Sequence, residues 1–126
     1  MLVIRKEQMN ALNRSVLDTY VKRLANVFLE RFPERFGPSG IAEAEKFVKK
    51  RLPLPRKYGV NSERAVAMFL YFVLVHGEDF ESRPETAWAV EILKDPSDPD
   101  GESRVERLIS RMEAYAGIPP APVDAL

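Results

Sequence analysis

Ala65-Val66-Ala67-Met68-Phe69-Leu70-Tyr71-Phe72-Val73-Leu74-Val75 is an uninterrupted run of eleven apolar residues, followed directly by His76 and Gly77. A membrane-spanning helix requires roughly 20 such residues, so this run reads as a core segment. Asn61 and Ser62 each offer a side-chain oxygen for an N-cap, and Glu63 suits the positive end of a helix dipole. Gly77 supplies a left-handed stop. The expected helix covers about residues 62–76. Because it is hydrophobic around its whole circumference, other helices must enclose it.

The flanking sequence supplies those helices. Met9, Leu12, Val16, Tyr20, Leu24, Val27 and Phe28 recur at steps of three and four, with Leu17 and Val21 widening the stripe, which predicts an amphipathic helix over about residues 5–31. Pro33 disfavours its continuation by pushing Phe32 out of the α region. After the turn Gly37-Pro38-Ser39-Gly40, a second helix runs to about Arg51, with Ser39 as its candidate N-cap. Leu52-Pro53-Leu54-Pro55 cannot continue a regular helix and reads as a bend leading into Tyr58-Gly59. Ser82-Arg83-Pro84-Glu85 and Ser103-Arg104-Val105-Glu106 have capping-box spacing. They predict a helix from Arg83 to Lys94 that turns Trp88, Ile92 and Leu93 inward, and a last helix ending at Gly117. The expectation is an all-α, single-domain bundle of about five helices over residues 1–117, with 118–126 as a proline-rich extended tail.

Composition sets the outer limits. In 126 residues, 45% are hydrophobic and 30% charged, which suits one globular core and disfavours disorder. There is no cysteine, so disulfide and thiolate chemistry are excluded. The opening Met1-Leu-Val-Ile-Arg-Lys-Glu lacks the pattern of a secretory signal, so a cytoplasmic location is expected. The zero net charge hides a division: residues 1–60 carry 13 Lys and Arg against 6 acids, and residues 61–126 carry the reverse. Antiparallel packing can neutralise such halves internally, and a polar partner can also orient on them.

Few groups suggest chemistry. His76, the sole histidine, precedes Glu78 and Asp79, but zinc normally takes three or four protein ligands and the chain has no second histidine. The expected role of His76 is structural, set against the helix dipole. The acidic loop 95–102 resembles a calcium loop only until its register is checked. With Gly101 at the sixth position, Pro96 stands first and Arg107 twelfth, so both required carboxylates are missing. Weak cation binding by that loop stays open. Four of the seven serines fall at expected helix caps, and no phosphate-binding glycine pattern occurs. The expectation is therefore no enzyme, no metal and no cofactor. Lys46, Lys49, Lys50, Arg51, Arg56 and Lys57 form the densest basic cluster. It could contact nucleic acid, but the chain is not basic overall and shows no helix-turn-helix pair with a polar recognition face, so a solvated face or an acidic protein partner ranks first.

Four segments read together carry a resemblance: Ile4-Arg5-x-Glu7-Gln8-Met9, Phe32-Pro33-Glu34, Tyr58-Gly59-Val60-x-Ser62-Glu63-Arg64, and Trp88-Ala89-x-Glu91-Ile92-Leu93-x-Asp95-Pro96. Over about residues 2–112 the chain resembles a family of small all-helical bacterial proteins encoded beside type VI secretion tip and effector genes, including those for PAAR-repeat spike proteins. The resemblance implies a noncatalytic adaptor or chaperone-like role, binding an effector or spike component. An immunity protein against a neighbouring toxin is the alternative. The Leu52-Pro53-Leu54-Pro55 stretch departs from the family pattern, in which the second helix continues into the Tyr-Gly turn. Arg14, Lys46, Lys49, Lys50 and Arg56 are the expected contacts with an acidic partner.

Overall fold

The computed structural model describes the backbone of residues 6–116 and the side chains of residues 16–112. The fold is an all-α bundle, with no strand among the described residues. Among the described residues six α-helices follow in order: α1 (Lys6–Arg31), α2 (Ile41–Arg51), α3 (Pro53–Lys57), α4 (Glu63–His76), α5 (Ala87–Leu93) and α6 (Gly101–Ala116). The expected tail over 118–126 and the expected stop at Gly117 lie outside the described residues, as do the side chains of Met9, Leu12 and Arg14. The chain divides between Lys49 and Lys50 into two compact units.

In the first unit, α1 buries Tyr20, Val21, Leu24, Ala25 and Phe28, whereas Val16 and Leu17 are exposed. Periodicity marks the apolar side of a helix but not how far along it anything packs: among the described side chains of the expected stripe, burial begins at Tyr20. Phe32 leaves the helix at φ −133° and ψ 59°, and a 3-10 turn over Pro33–Arg35 follows. Phe47 on α2 then meets Phe28 and Phe36 edge-on, with ring centroids 6.2 and 6.0 Å apart. Such edge contacts stabilise beyond the area they bury. Ser39 is not the residue flanking α2, because the helix begins at Ile41 and Gly40, at φ +39°, holds that position.

In the second unit, the proline stretch corrects the expected bend: it forms α3. Pro53 takes the first helical position and Pro55 the third, where amides have no intrahelical acceptor and a missing N–H costs nothing. Gly59, at φ +72°, closes α3. The Gly59 amide donates to the Arg56 carbonyl and the Val60 amide to the Pro55 carbonyl, which is the Schellman arrangement.

Helix α4 begins where expected. The Ser62 hydroxyl accepts from the Ala65 amide at 3.1 Å, and nine of the 14 helical residues are buried. Gly77 ends it at φ +99° and ψ 158°, an extended positive-φ conformation rather than the left-handed helical one. The first expected capping box does not form. The Ser82 hydroxyl donates to the Asp79 carbonyl, and Pro84–Thr86 makes a 3-10 turn ahead of α5. Buried Thr86 stabilises this connection by donating to the Phe80 carbonyl at 2.6 Å. Trp88 is only half-buried, while Ala89, Ile92 and Leu93 point inward. The second box also fails. Helix α6 starts two residues before Ser103, with Asp100 as cap, its carboxylate accepting from the Glu102 amide at 3.1 Å. Helix α6 packs on both α4 and α5.

Candidate functional site

Around the C-terminus of α4, the possible catalytic groups separate from one another. The His76 ring lies on Phe72, with centroids 4.7 Å apart, and meets the edge of Trp88 at 6.2 Å. Its Nε2 is buried without a hydrogen-bond partner among the described residues. Burial, followed by the nearby Arg83 cation, holds the imidazole below its ordinary pKa, so the ring is neutral. The expected charge–dipole role is therefore corrected: Arg83, not the imidazole, supplies the cation by donating to the His76 carbonyl. Glu78 pairs with Arg51, and Asp79 with Arg83 at 3.3 Å. The His-x-Glu-Asp sequence thus does not converge on one point. No three groups of His, Asp or Glu come together as a metal cage among the described residues.

The acidic loop is likewise tied into the chain. The Asp95 carboxylate accepts from the Ser97 amide and hydroxyl and pairs with Arg107 at 3.1 Å. Asp98 accepts from the Ser103 hydroxyl at 2.8 Å and the Asp100 amide, and shares Arg107 at 3.2 Å. Both carboxyls are held below their usual range, first by these hydroxyl donors.

Two places face solvent with chemistry to offer. The first is α2, where Lys46, Lys49 and Lys50 fall at steps of three and one and are exposed. Lys46 makes one loose contact with Glu43, at 3.9 Å, and Lys49 and Lys50 have no ion-pair partner among the described residues. Arg56 is exposed on α3, also without such a partner. The other members of the basic cluster are neutralised within the second unit: Arg51 by Glu78, and Lys57 by Glu81 at 2.7 Å. The charge division between the halves of the sequence is partly resolved inside the fold and partly left on the surface.

The second is an open cleft of about 350 Å³ in the second unit, where the end of α3, the end of α5 and the start of α6 meet. Its apolar walls are Tyr58, Leu93, Pro96 and Pro99, Lys57, Lys94 and Arg104 bring cations to it, and Asp95 and Asp98 line it as well. Tyr58 donates its hydroxyl to Glu81, and burial together with that bond raises the phenol far above its ordinary pKa. Burial alone would raise Glu81, but bonds from Lys57 and Tyr58 and the field of Lys94 outweigh it and keep the carboxylate ionised. Arg104 donates to the Asp98 carbonyl at 2.7 Å and to the Tyr58 carbonyl at 2.5 Å.

Of the expected contacts, Lys46, Lys49 and Lys50 share one helix, Arg56 lies on another, and the Arg14 side chain is outside the described residues. Sequence reasoning missed the cleft entirely. Tyr58 reads as core, and nothing in the sequence signals that Arg104 reaches a carbonyl 46 positions away. Compared with protein-family models, with curated proteins and with solved structures, the chain matches none of them.

Proposed function

We propose that this chain is a noncatalytic helical adaptor or chaperone-like module that binds an acidic protein. Following the family resemblance, the partner is an effector or spike component of a type VI secretion system, engaged in the bacterial cytoplasm without metal or cofactor. The observation that carries the reading is the row of exposed lysines on α2, of which Lys49 and Lys50 have no ion-pair partner among the described residues. Opposite charge steers association and fixes orientation, and an ammonium with no internal carboxylate has nothing to give up on binding. A second support is that His76, Glu81, Asp95 and Asp98 are each committed to contacts within the chain.

The test is to mix the purified chain with spike and effector proteins of a type VI secretion system from the same host and measure binding by calorimetry. Binding that weakens by about tenfold or more between about 50 and about 500 mM salt is expected. The triple reversal Lys46→Glu, Lys49→Glu, Lys50→Glu should abolish it. Salt-insensitive binding, or full affinity in the reversed variant, would overturn the electrostatic reading. Rescue of growth when the chain is co-expressed with a neighbouring toxin would instead assign it as an immunity protein.

A further inference from the structure

The cleft bounded by α3, α5 and α6 has a chemistry that its own contacts leave unused. Glu81 is the carboxylate for two ammonium groups: Lys57 contacts it directly, and Lys94 acts on it through space. Lys94 is exposed and has no ion pair of its own among the described residues. The two acids that line the cleft, Asp95 and Asp98, share the single Arg107 guanidinium and accept from local hydroxyl and amide donors, and neither pairs with Lys94; Lys57, Lys94, Arg104 and Arg107 still outnumber Glu81, Asp95 and Asp98 by one. Arg104 adds a further cation whose partners are carbonyls rather than carboxylates. The cleft therefore carries positive charge in excess of what its carboxylates neutralise, over a floor of Tyr58, Leu93 and proline rings.

It is also preformed. Arg104 ties the Tyr58 carbonyl to the Asp98 carbonyl, joining the two chain segments that flank the opening. Next to this tie, Gly101 packs so closely on Gly59 that a Cβ at residue 101 would stand 2.3 Å from the Gly59 carbonyl oxygen. A site held in shape before its ligand arrives loses less entropy on binding.

We propose that this cleft is a docking pocket for a carboxylate-bearing side chain of an acidic polypeptide, with the carboxylate on Lys94 and the neighbouring apolar residue on the exposed rings of Pro96 and Pro99, beside the buried Tyr58 and Leu93. This rests on the reading of the chain as a binder of acidic protein and names a specific anchor for it, distinct from the lysines of α2. A few placed polar groups within mostly apolar walls, at this volume, are the usual form of a recognition pocket. A single carboxylate per pocket also fits the one ammonium left without a pair.

The probe is the peptide acetyl-Leu-Glu-Leu-Glu-Leu-amide, titrated into the isotope-labelled full chain while amide chemical shifts are followed. Saturable shifts are expected at Leu93, Lys94, Asp95 and Arg104. The apparent Kd from these amides should weaken by about tenfold when the peptide glutamates are replaced by glutamine, and again in Lys94→Glu. Lys94→Gln, which removes the charge with least change of shape, should weaken it to a smaller degree. Lys94 is exposed, so Lys94→Gln, which adds no negative charge beside Glu81, should keep the thermal midpoint close to that of the parent. Silent cleft amides, or shifts unaffected by glutamine peptide and by both Lys94 variants, would overturn the pocket. If the cleft is silent while a partner protein still binds and is released by reversing the α2 lysines, the pocket alone is wrong. If the cleft responds while that reversal changes nothing, the fault lies with the α2 reading.

Discussion

At Gly101 the backbone of α6 sits against the Gly59–Val60 segment with no room for a side chain: a methyl group would meet the Gly59 carbonyl oxygen at 2.3 Å and its carbon at 2.9 Å. Both are backbone atoms and cannot swing aside, so Gly101→Ala should cost about 1–3 kcal/mol, the usual range for overpacking, and should lower the thermal midpoint. His76 makes a different residue-scale demand. Burial and Arg83 depress its pKa, so the folded chain favours the neutral ring while the unfolded chain titrates near about 6.5. The resulting stability is present above that pH and is lost as pH falls below it towards the folded-state pKa. Denaturant unfolding at pH 7.5 and pH 5 should show this loss, and His76→Phe, which keeps a ring on Phe72, should reduce it.

At the scale of the element, caps decide where helices begin and end. Ser62 satisfies the Ala65 amide and also donates to Glu102 on α6, so Ser62→Ala should destabilise by about 1 kcal/mol in chemical denaturation. Helix α3 shows how local chemistry misleads when position is ignored. Two prolines in four residues read as a helix breaker, yet in the first turn they lack only amides that would have had no acceptor. Its closure depends on Gly59 at φ +72°, so Gly59→Ala should cost about 1–2 kcal/mol through backbone strain, measured as a shift of the unfolding midpoint without change of slope. The two Ser-x-x-Glu boxes fail for a related reason. Asp100 lies closer to the true start of α6, and Ser82 finds the Asp79 carbonyl instead.

For the whole molecule, the distribution of charge is the property on which the proposed function rests. Arg51, Lys57 and Arg64 each meet an acid, Glu78, Glu81 and Glu106, whereas Lys49, Lys50 and Arg56 meet none among the described residues. No helix among the described residues is long and apolar enough to cross a membrane. Reversing Lys49 and Lys50 should leave the unfolding midpoint nearly unchanged, since exposed, unpaired charges contribute little to stability, while weakening association with the proposed acidic partner. An unfolding scan beside a binding titration on the same double variant separates these effects.

The sequence by itself determined the all-α class, the span of α4 and its Ser62 cap, the C-terminal ends of α1 and α2, and the exposed lysines of α2. Each follows from period, composition or a residue within a turn of the element it controls. Tertiary structure alone decided the rest. The neutral seat of His76 depends on Phe72, Trp88 and Arg83; the saturation of Asp95 and Asp98 depends on Arg107; the cleft depends on Arg104 reaching Tyr58. Those contacts join residues far apart in the chain, and the free energy of a buried ring or a shared carboxylate is set by what surrounds it in space. A stripe, a cap or a breaker carries its meaning along the chain, whereas a pocket has none until the chain is folded.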